Sequence, residues 1–542
     1  MSQQQSPRAI KSTTLTLIIT FLFATIYNQK IWEIYTSEHP FSGIPWALEA
    51  LSFFVFLFFL LFSLFNLVSF KWIQRPVFAL VFILSSAAMY FSNALNVYFD
   101  YTMIQNLFET DYREANELLI QPLVLSIVLL GLIPCIFIFK IQVYYKPWLK
   151  QMLQNTALSI ISLGAALASA GPYYANHSSF IRNHNIALSE SLLPTSYAIS
   201  TASYLKKQLV GKNKVRRPID AHPRQSPKWH QYDKPLALVF ILGETARASS
   251  FSLQSHSESE FMGGIEKLFY YSNFSSCGTS TVVSVPCMFS TYSKDDFSRS
   301  MRLEYENVID IALRSGFNTH WLDNHNGCKG VCKGIGINYV SKQESSAFFN
   351  DDQFFDEALV EGLADRITRT GGNQVRVLHQ LGSHGPAYYK RVPEEFLVSE
   401  PSFRSSDLSQ CETEAIKNTY NDTVRYTEYL IAKAIKELES ISQTHDTVLI
   451  YVSDHGESTG ENGLYLHGIP MFLAPQEQTH VPALLWLSDS YIASRSIDTG
   501  CLKKHLNDEY SHDNISHTLI SLLDIESSAY QSELDILRPC KG

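Results

Sequence analysis

The sequence has no excess of basic residues, and this argues against a nucleic-acid partner. Lysine and arginine together number 43 against 52 aspartates and glutamates, which gives a formal net charge of -9. Proteins that bind DNA or RNA present a basic patch to the phosphate backbone. We therefore expect no nucleic acid among the partners.

Charge is also missing from long stretches in the first third of the chain. Residues 51–70 contain no charged side chain, whereas an amphipathic helix of a soluble protein keeps a polar face. Five apolar stretches approach the ~20 residues that a helix needs to cross a bilayer. They are residues 13–27, 51–70, 77–97, 118–139 and 152–170. We predict a membrane domain of five helices within residues 1–175.

The first apolar stretch lacks the small-residue cleavage site of a signal peptide, because Tyr27, Lys30 and Trp32 stand there. An uncleaved anchor is therefore favoured over a removed signal.

The topology of the predicted spans follows from the basic residues. Lysines and arginines lie before the first stretch and in the loops at 71–75 and 140–150, which the positive-inside rule assigns to the cytoplasm. Five crossings then put everything after this region outside the cytoplasm.

No pair among the eight cysteines has the CxxC spacing of a structural zinc knuckle. Seven cysteines lie beyond the apolar third, including the closely spaced pairs Cys277/Cys287 and Cys328/Cys332. Disulfide-closed loops in an oxidising compartment are favoured over a cysteine-rich metal site. This compartment agrees with the topology that the basic residues predict.

A segment of changing composition follows the apolar third. Residues 194–209 are amphipathic, and residues 211–234 are polar and contain prolines. We predict an interfacial helix and a linker within residues 176–234, followed by a soluble domain at 235–542.

Residues 100–117, between two predicted spans, are rich in acidic and amide groups. This loop either contacts a lipid head group or is a solvated helical loop.

Three short β-type runs in the soluble domain deliver metal-binding residue types at their ends. Glu244 ends the first run, His384 the second, and Asp454, His455 and Glu457 the third. The carboxyl ends of parallel strands meet in one crevice of an open α/β sheet, and helical patterns such as residues 415–438 supply the crossovers. Any one of these residues alone would be a helix cap or a loop histidine. Together they favour a zinc site in an α/β fold with a mostly parallel sheet.

A nucleophile is expected in the segment between Cys277 and Cys287. Its hydroxyl residues are Thr279, Ser280, Thr281 and Ser284. A metal ion or a helix N-terminus would activate one of them. The spacing does not choose among the four, and a simple N-cap cluster is the alternative.

Lys329 is a further candidate, and His325 lies shortly before it. Lys329 either binds a phosphoryl oxygen or is a solvated charge.

These segments together resemble the lipid A phosphoethanolamine transferases, which include the mobile colistin-resistance enzymes and belong to the alkaline-phosphatase and sulfatase superfamily. The matching runs are GETARAS at Gly243, CGTSTVVSVPCMFS at Cys277, CKGVC at Cys328, GSHGPAYY at Gly382, SDHGESTGENGLYLHG at Ser453 and HVPALLW at His480. The resemblance extends over nearly the whole chain. It implies a multi-pass protein of the bacterial inner membrane, with five transmembrane helices and an alkaline-phosphatase-like catalytic domain in the periplasm.

The resemblance also implies the roles of individual residues. Thr281 would be the nucleophile. The ligands of a firmly bound zinc would be Glu244, Thr281, Asp454 and His455. The other implied site residues are His384 and His467 near the phosphoryl group or a second zinc, Lys329 at the substrate, and Asn106, Thr110 and Glu114 at the lipid head group.

Two positions depart from the family pattern. His325 stands where the family often has an asparagine, which puts a head-group contact there in question. Cys411 lacks the nearby cysteine with which the family pairs it. It is therefore either unpaired or bonded to Cys501 or Cys540.

The implied reaction moves phosphoethanolamine from phosphatidylethanolamine to a phosphate of lipid A, through a covalent phosphoethanolamine-threonine. Polymyxin resistance is then an expectation for the family. Core heptose, Kdo and a periplasmic glucan are alternative acceptors. A membrane-anchored phosphatase or sulfatase, a polymerase of the lipoteichoic acid synthase kind, and a silent lipid-binding scaffold are the rival functions. We expect a monomer embedded in the membrane.

Overall fold

The structure, a computed structural model, describes residues 9–110, 112–211, 216–254, 259–298, 301–350 and 353–541. The chain divides into two compact units. The first unit contains the residues up to Ile104 together with Leu119–Tyr204, and the second contains Gln105–Leu118 and the residues from Leu205 onward. The short segment Gln105–Leu118 thus belongs with the C-terminal part of the chain. The domain boundaries proposed from the sequence remain predictions.

The first unit is built from long apolar helices. Within the described ranges, four helices are long and apolar enough to cross a membrane, or five if one bent pair forms a single span. The four are Ile44–Asn66, Gln74–Leu95, Gln121–Lys140 and Trp148–Asn183, and the bent pair is Ser12–Tyr27 with Gln29–Glu38. The sequence predicted five spans in this region, and the structure has four such helices, or five when the bent pair counts as one span.

The bend in the first span has a local cause at Asn28. The two helices of the pair meet at an angle of 53°, and Asn28 between them has a non-helical backbone with φ −105° and ψ 35°. Its side-chain amide donates to the carbonyl of Phe23 at 2.8 Å, and its side-chain oxygen accepts the backbone N–H of Leu193 at 2.7 Å. The asparagine therefore satisfies the Phe23 carbonyl, which an unbroken helix would pair internally, and it also joins the break to Leu193 of another segment.

Small hydroxyl residues join two of the long helices. Ser63 donates to the carbonyl of Ser159 at 3.0 Å, and Ser159 donates back to the carbonyl of Ser63 at 2.9 Å. Such small residues let helix backbones approach closely in an apolar environment.

The amphipathic helix predicted at residues 194–209 is present as Thr195–Gly211. Its interfacial position remains a prediction. The shorter helices of the N-terminal part are Tyr101–Glu109, Tyr112–Glu117 and Asn185–Ser191.

A seven-stranded mixed sheet forms the centre of the second unit, as far as the described residues show. Its strands are β1 (Leu236–Gly243), β2 (Leu268–Tyr271), β3 (Asn318–Asp323), β4 (Asn338–Tyr339), β5 (Gln374–His379), β6 (Asp446–Ser453) and β7 (Ala483–Leu487). Their order is β2-β7-β6-β1-β5-β3-β4. The pairs from β6 to β4 are parallel, and β7 is antiparallel to both of its neighbours. The predicted α/β fold with a mostly parallel central sheet is confirmed.

Both faces of this sheet are covered, which explains why its central strands are apolar throughout. In β1, Leu238 and Phe240 pack into one buried cluster while Val239 and Ile241 pack into the other. Helices contribute side chains to both clusters. Those of the first cluster include Thr281–Met288, Val308–Arg314, Asp489–Arg495, Thr499–Lys504 and Asp513–Leu522, and those of the second include Glu357–Val360, Leu363–Thr370 and Thr413–Ser440.

The parallel strands end at one edge, and the predicted metal-binding residues lie there. Glu244 follows β1, and Asp454 follows β6, whose Ser453 is in register with Gly243. The adjacent strands β3 and β5 end in register at Asp323 and His379. The strand order therefore gathers residues that lie more than two hundred positions apart in the sequence.

Candidate active site

A buried cluster of Glu244, Asp454 and His455 lies at the carboxyl edge of the sheet. Each residue offers one ligand atom, and these atoms all lie within 4.8 Å of one another. His455 Nε2 is 3.5 Å from Glu244 Oε1 and 3.3 Å from Asp454 Oδ2. The other Asp454 oxygen accepts the backbone N–H groups of Thr245 and His455 at 3.1 and 2.7 Å. The backbone thus fixes the orientation of the Asp454 carboxylate.

The charges of this cluster call for a cation. Burial raises the pKa of Glu244 well above the usual carboxyl range, and the neighbouring Asp454 carboxylate raises it further. Asp454 Oδ2 and His455 Nε2 have no hydrogen-bond partner among the described residues, although such buried atoms are costly to leave unpaired. Two carboxylates and one imidazole form a donor set that suits zinc. The residues present therefore fit the divalent ion expected from the sequence.

Thr281 is the hydroxyl residue that the structure brings to this cluster. Its Oγ1 lies 3.3 Å from each carboxylate oxygen of Glu244, and the residue begins the helix Thr281–Met288. The other three hydroxyls of the segment differ. Thr279 donates to the carbonyl of Ile469 at 2.7 Å, while the hydroxyls of Ser280 and Ser284 are buried with no partner among the described residues. The sequence alone did not single out Thr281 among these four hydroxyl residues.

His467 lies beside the cluster and is held by Glu457, which the sequence analysis placed among the potential metal ligands. Its Nδ1 is 2.8 Å from Glu457 Oε2, and Tyr388 donates its hydroxyl to the other Glu457 oxygen at 2.6 Å. Burial would lower the pKa of His467, but the Glu457 carboxylate outweighs it and the pKa is raised to about 9. Both Glu457 and Tyr388 lie within conspicuous runs of the sequence, SDHGE and GSHGPAYY, and this was the available signal.

His384 is a further histidine beside His467. Its ring centroid lies 5.1 Å from that of His467, and burial lowers its pKa well below the usual histidine range. Gly382, which precedes it with φ +58°, leaves no room for a side chain because a Cβ would lie 2.4 Å from the carbonyl oxygen of Glu244. The chain after β5 therefore passes directly against the residue that follows β1.

Lys329 and His325 are both buried near the same carboxyl edge of the sheet. His325 Nε2 lies 3.9 Å from Glu244 Oε2. The Lys329 ammonium donates to the side-chain oxygen of Asn326, and the Lys329 carbonyl accepts a hydrogen bond from Arg302 at 3.1 Å. A buried lysine is a poor match for the solvated charge that was the alternative interpretation.

The segment Gln105–Leu118 contacts the catalytic part of the second unit through two arginines. Arg302 binds Glu109 at 2.8 Å, and Arg391 binds both carboxylate oxygens of Glu117. Arg391 also donates to the carbonyl of His384 at 2.7 Å. Each arginine therefore joins an acidic residue of this segment to the backbone of a predicted site residue.

Of the three residues predicted at the lipid head group, two have described side chains. Thr110 donates to the carbonyl of Asn106 at 2.7 Å. The Asn106 amide nitrogen lies 3.9 Å from the position that a Cβ would take at Gly468, the residue after His467. The side chain of Glu114 lies outside the described residues.

Three disulfides lie in the described part of the second unit. The predicted bridges Cys277–Cys287 and Cys328–Cys332 are both present, and the first encloses the Thr281 segment. The third bridge joins Cys501 to Cys540. Cys411 is a free cysteine, so the expectation of a bond from Cys411 to Cys501 or Cys540 is excluded in favour of the unpaired state.

Comparisons with known proteins extend over both units. A family described as sulfatase matches residues 237–525, and one described as phosphoethanolamine transferase EptA/EptB matches residues 57–209. The phosphoethanolamine transferase EptA of Escherichia coli is 34% identical over 98% of this chain and 99% of its own length. The phosphatidylethanolamine transferase Mcr-1 of Escherichia coli is 32% identical over 87% of each chain.

A solved structure gives the same result for the fold. The integral membrane lipooligosaccharide phosphoethanolamine transferase A of Neisseria meningitidis matches with a TM-score of 0.93. Its sequence is 30% identical, and the match covers 98% of this chain and 99% of that protein. The likeness therefore includes the apolar helices as well as the central sheet.

Proposed function

The chain belongs to the phosphoethanolamine transferase family, within the sulfatase superfamily, and from this premise we propose that it transfers phosphoethanolamine from phosphatidylethanolamine to a phosphate of lipid A. The names of the relatives support a transferase acting on phosphoethanolamine. The observation that carries the proposal is the contact of the Thr281 hydroxyl with both oxygens of Glu244, in a buried cluster that also holds Asp454 and His455. This arrangement presents one nucleophile in a metal-binding pocket.

The first half of the reaction forms a covalent bond to the protein. The Thr281 hydroxyl gives its proton to solvent and its Oγ1 attacks the phosphorus of phosphatidylethanolamine. The bond from phosphorus to the glycerol oxygen breaks, and diacylglycerol leaves after gaining a proton. Zinc held by Glu244, Thr281, Asp454 and His455 would supply Lewis-acid stabilisation of the threonine oxygen and the phosphoryl group. The product on the protein is phosphoethanolamine-threonine.

His467 and Lys329 are suited to support this step. Glu457 holds Nδ1 of His467, so that Nε2 of the protonated ring is left to give a proton to the leaving glycerol oxygen. The raised pKa of His467, about 9, keeps the ring protonated near neutral pH. Lys329 is a buried cation that can bind a phosphoryl oxygen.

The second half of the reaction restores the threonine. A phosphate oxygen of lipid A attacks the phosphorus of phosphoethanolamine-threonine, and Thr281 Oγ1 leaves with a proton returned to it, which completes a ping-pong cycle. Replacement of an exposed phosphate anion by a zwitterionic group weakens the attraction of cationic peptides. Polymyxin resistance, the inner-membrane location with a periplasmic catalytic domain, and a monomeric state belong to the same proposal.

Full-length protein in detergent, supplied with fluorescent phosphatidylethanolamine and lipid A, tests this function. Wild type is expected to release diacylglycerol and to yield lipid A with added phosphoethanolamine by mass spectrometry. Thr281→Ala is expected to lose both products and the covalent adduct. Ser284→Ala is the matched control, because it removes a buried hydroxyl of the same helix without touching Glu244, and it is expected to retain activity.

The outcomes separate the proposal from its rivals. Free phosphoethanolamine as the sole second product would identify a hydrolase. In lipopolysaccharide and glucan from cells that express the protein, modified heptose, Kdo or glucan with unmodified lipid A phosphates would identify a different acceptor. Equal activity of Thr281→Ala and wild type would overturn the proposed nucleophile.

A further inference from the structure

A second set of potential metal ligands shares Glu244 with the cluster described above but is otherwise separate from it. Glu244, His325 and His379 offer ligand atoms that all lie within 4.8 Å of one another, and all three residues are buried. His325 Nε2 is 3.9 Å from Glu244 Oε2, and the ring centroids of His325 and His379 are 5.1 Å apart. The sequence analysis gave His379 no role.

The hydrogen bonds of His379 determine which of its nitrogens can bind a metal. Its Nδ1 lies 2.8 Å from Asp323 Oδ2. Because an ionised carboxylate only accepts hydrogen bonds, Nδ1 donates to Asp323, and Nε2 is the nitrogen left to bind a metal. His379 is fully buried, and Nε2 has no hydrogen-bond partner among the described residues. A carboxylate on the far nitrogen is the usual support of a histidine that binds a metal.

The carboxylate of Asp323 holds both histidines at once. Asp323 Oδ1 accepts the backbone N–H of His325 at 2.9 Å, while Oδ2 accepts Nδ1–H of His379 and also Nε1–H of Trp321 at 2.8 Å. Asp323 is itself 1% exposed. One buried group at the end of β3 therefore fixes the ring of His379 and the backbone of His325.

We propose that Glu244, His325 and His379 bind a second divalent transition-metal ion, with the Glu244 carboxylate shared between this ion and the one held with Asp454 and His455. Two imidazoles and one carboxylate form a set that zinc commonly uses, and three protein ligands leave a position open for a water or a substrate oxygen. The site does not rest on the transfer reaction, since it requires only that Glu244 is a metal ligand.

The proposed site depends on the imidazole at position 325, because an asparagine amide would be a weak metal ligand compared with imidazole. The site is also distinct from a pair formed by His384 and His467, because neither of its histidines belongs to that pair. His325 is nevertheless close to that pair, with its ring centroid 5.4 Å from that of His384.

Metal content of the full-length protein in detergent tests this site. The protein is equilibrated with buffered zinc, and bound zinc is measured by inductively coupled plasma mass spectrometry. His325→Asn and His379→Gln are each expected to contain one zinc per chain fewer than wild type. His445→Asn is the matched control, because it removes a different buried histidine, 6% exposed, and it is expected to keep the wild-type content.

A cobalt titration separates the new site from the first one and reads out binding without activity. Asp454→Asn removes a ligand of the first set only, so the change in visible absorption that remains on adding cobalt should include the second site. Adding His325→Asn to Asp454→Asn is expected to remove one further equivalent. Zinc contents of His325→Asn and His379→Gln equal to wild type, or cobalt binding unchanged by His325→Asn, would overturn the proposal. Loss of diacylglycerol release in Thr281→Ala is independent of both results.

Discussion

Glu457 is the residue whose replacement should report most directly on how His467 is held. Its carboxylate binds His467 Nδ1 and the hydroxyl of Tyr388, and the residue is fully buried. Glu457→Gln keeps the size of the side chain but removes its charge. Because outer partners of this kind are worth about 10–100-fold in activity or metal affinity, we expect kcat for diacylglycerol release to fall by about that factor.

A comparison variant separates positioning from general damage. Tyr388→Phe removes the hydrogen bond to Glu457 but leaves the contact between Glu457 and His467, so its loss of kcat should be smaller. The thermal unfolding midpoint of both variants is measured alongside. A kcat for Glu457→Gln equal to that of wild type would show that the carboxylate does not support His467.

Single residues differ in how far the sequence could identify them. Glu244, Asp454 and His455 were found because each directly follows an apolar β-type run, so their convergence follows from the geometry of parallel strands. Thr281 was not separable from its three hydroxyl neighbours by spacing. His379 was not proposed as a ligand, because its role depends on the hydrogen bond to Asp323 and that partner lies 56 positions away.

Among elements, the segment Gln105–Leu118 gives the sharpest prediction. Arg391 and Glu117 form a buried ion pair, and loss of one partner of such a pair leaves an uncompensated charge that costs about 3–5 kcal/mol. We expect Arg391→Met and Glu117→Gln each to lower the stability of the full-length protein and its transfer rate. The double variant should be less damaged than the sum of the two, since it leaves no buried charge unpaired.

Thermal unfolding and transfer rate, measured for all four members of this double-mutant cycle, check the prediction. Arg404→Met is the control, because its pair with Glu394 is exposed and exposed pairs contribute little. Strictly additive effects of Arg391→Met and Glu117→Gln would contradict a direct coupling between the two residues.

The elements themselves were more predictable than their contacts. The central strands are apolar on both faces and were recognised as short β-type runs, and the helix Thr413–Ser440 was anticipated from its periodic pattern. The ion pair between Arg391 and Glu117 was not, because 274 positions separate the two residues. The first predicted stretch ended at Tyr27, so the helix Gln29–Glu38 that continues beyond the bend was not predicted.

For the whole molecule, removal of metal should lower stability. The buried carboxylates of Glu244 and Asp454 lie together with no lysine or arginine bound to either in the described structure, so a bound cation stabilises only the folded state. An ion present at about a thousand times its Kd contributes about 4 kcal/mol of unfolding free energy. We expect chelation to lower the unfolding midpoint of the full-length protein and re-addition of zinc to restore it.

Asp454→Asn checks the origin of this effect. It removes one of the adjacent carboxylates and one ligand, so chelation should shift its unfolding midpoint less than that of wild type. A midpoint that does not respond to chelation in wild type would argue that no stabilising ion occupies the cluster. Scanning calorimetry or intrinsic fluorescence in the same detergent gives the measurement.

The membership of Gln105–Leu118 in the second unit has a practical consequence for truncated forms. A protein expressed from about Pro235 onward would omit Glu109 and Glu117, and it would leave the guanidinium groups of Arg302 and Arg391 without these carboxylates. Rates recorded on such a fragment would describe a site that lacks the ion pairs of Glu109 and Glu117 with these arginines. Inhibitors selected against it would be chosen for a surface that the intact enzyme does not expose.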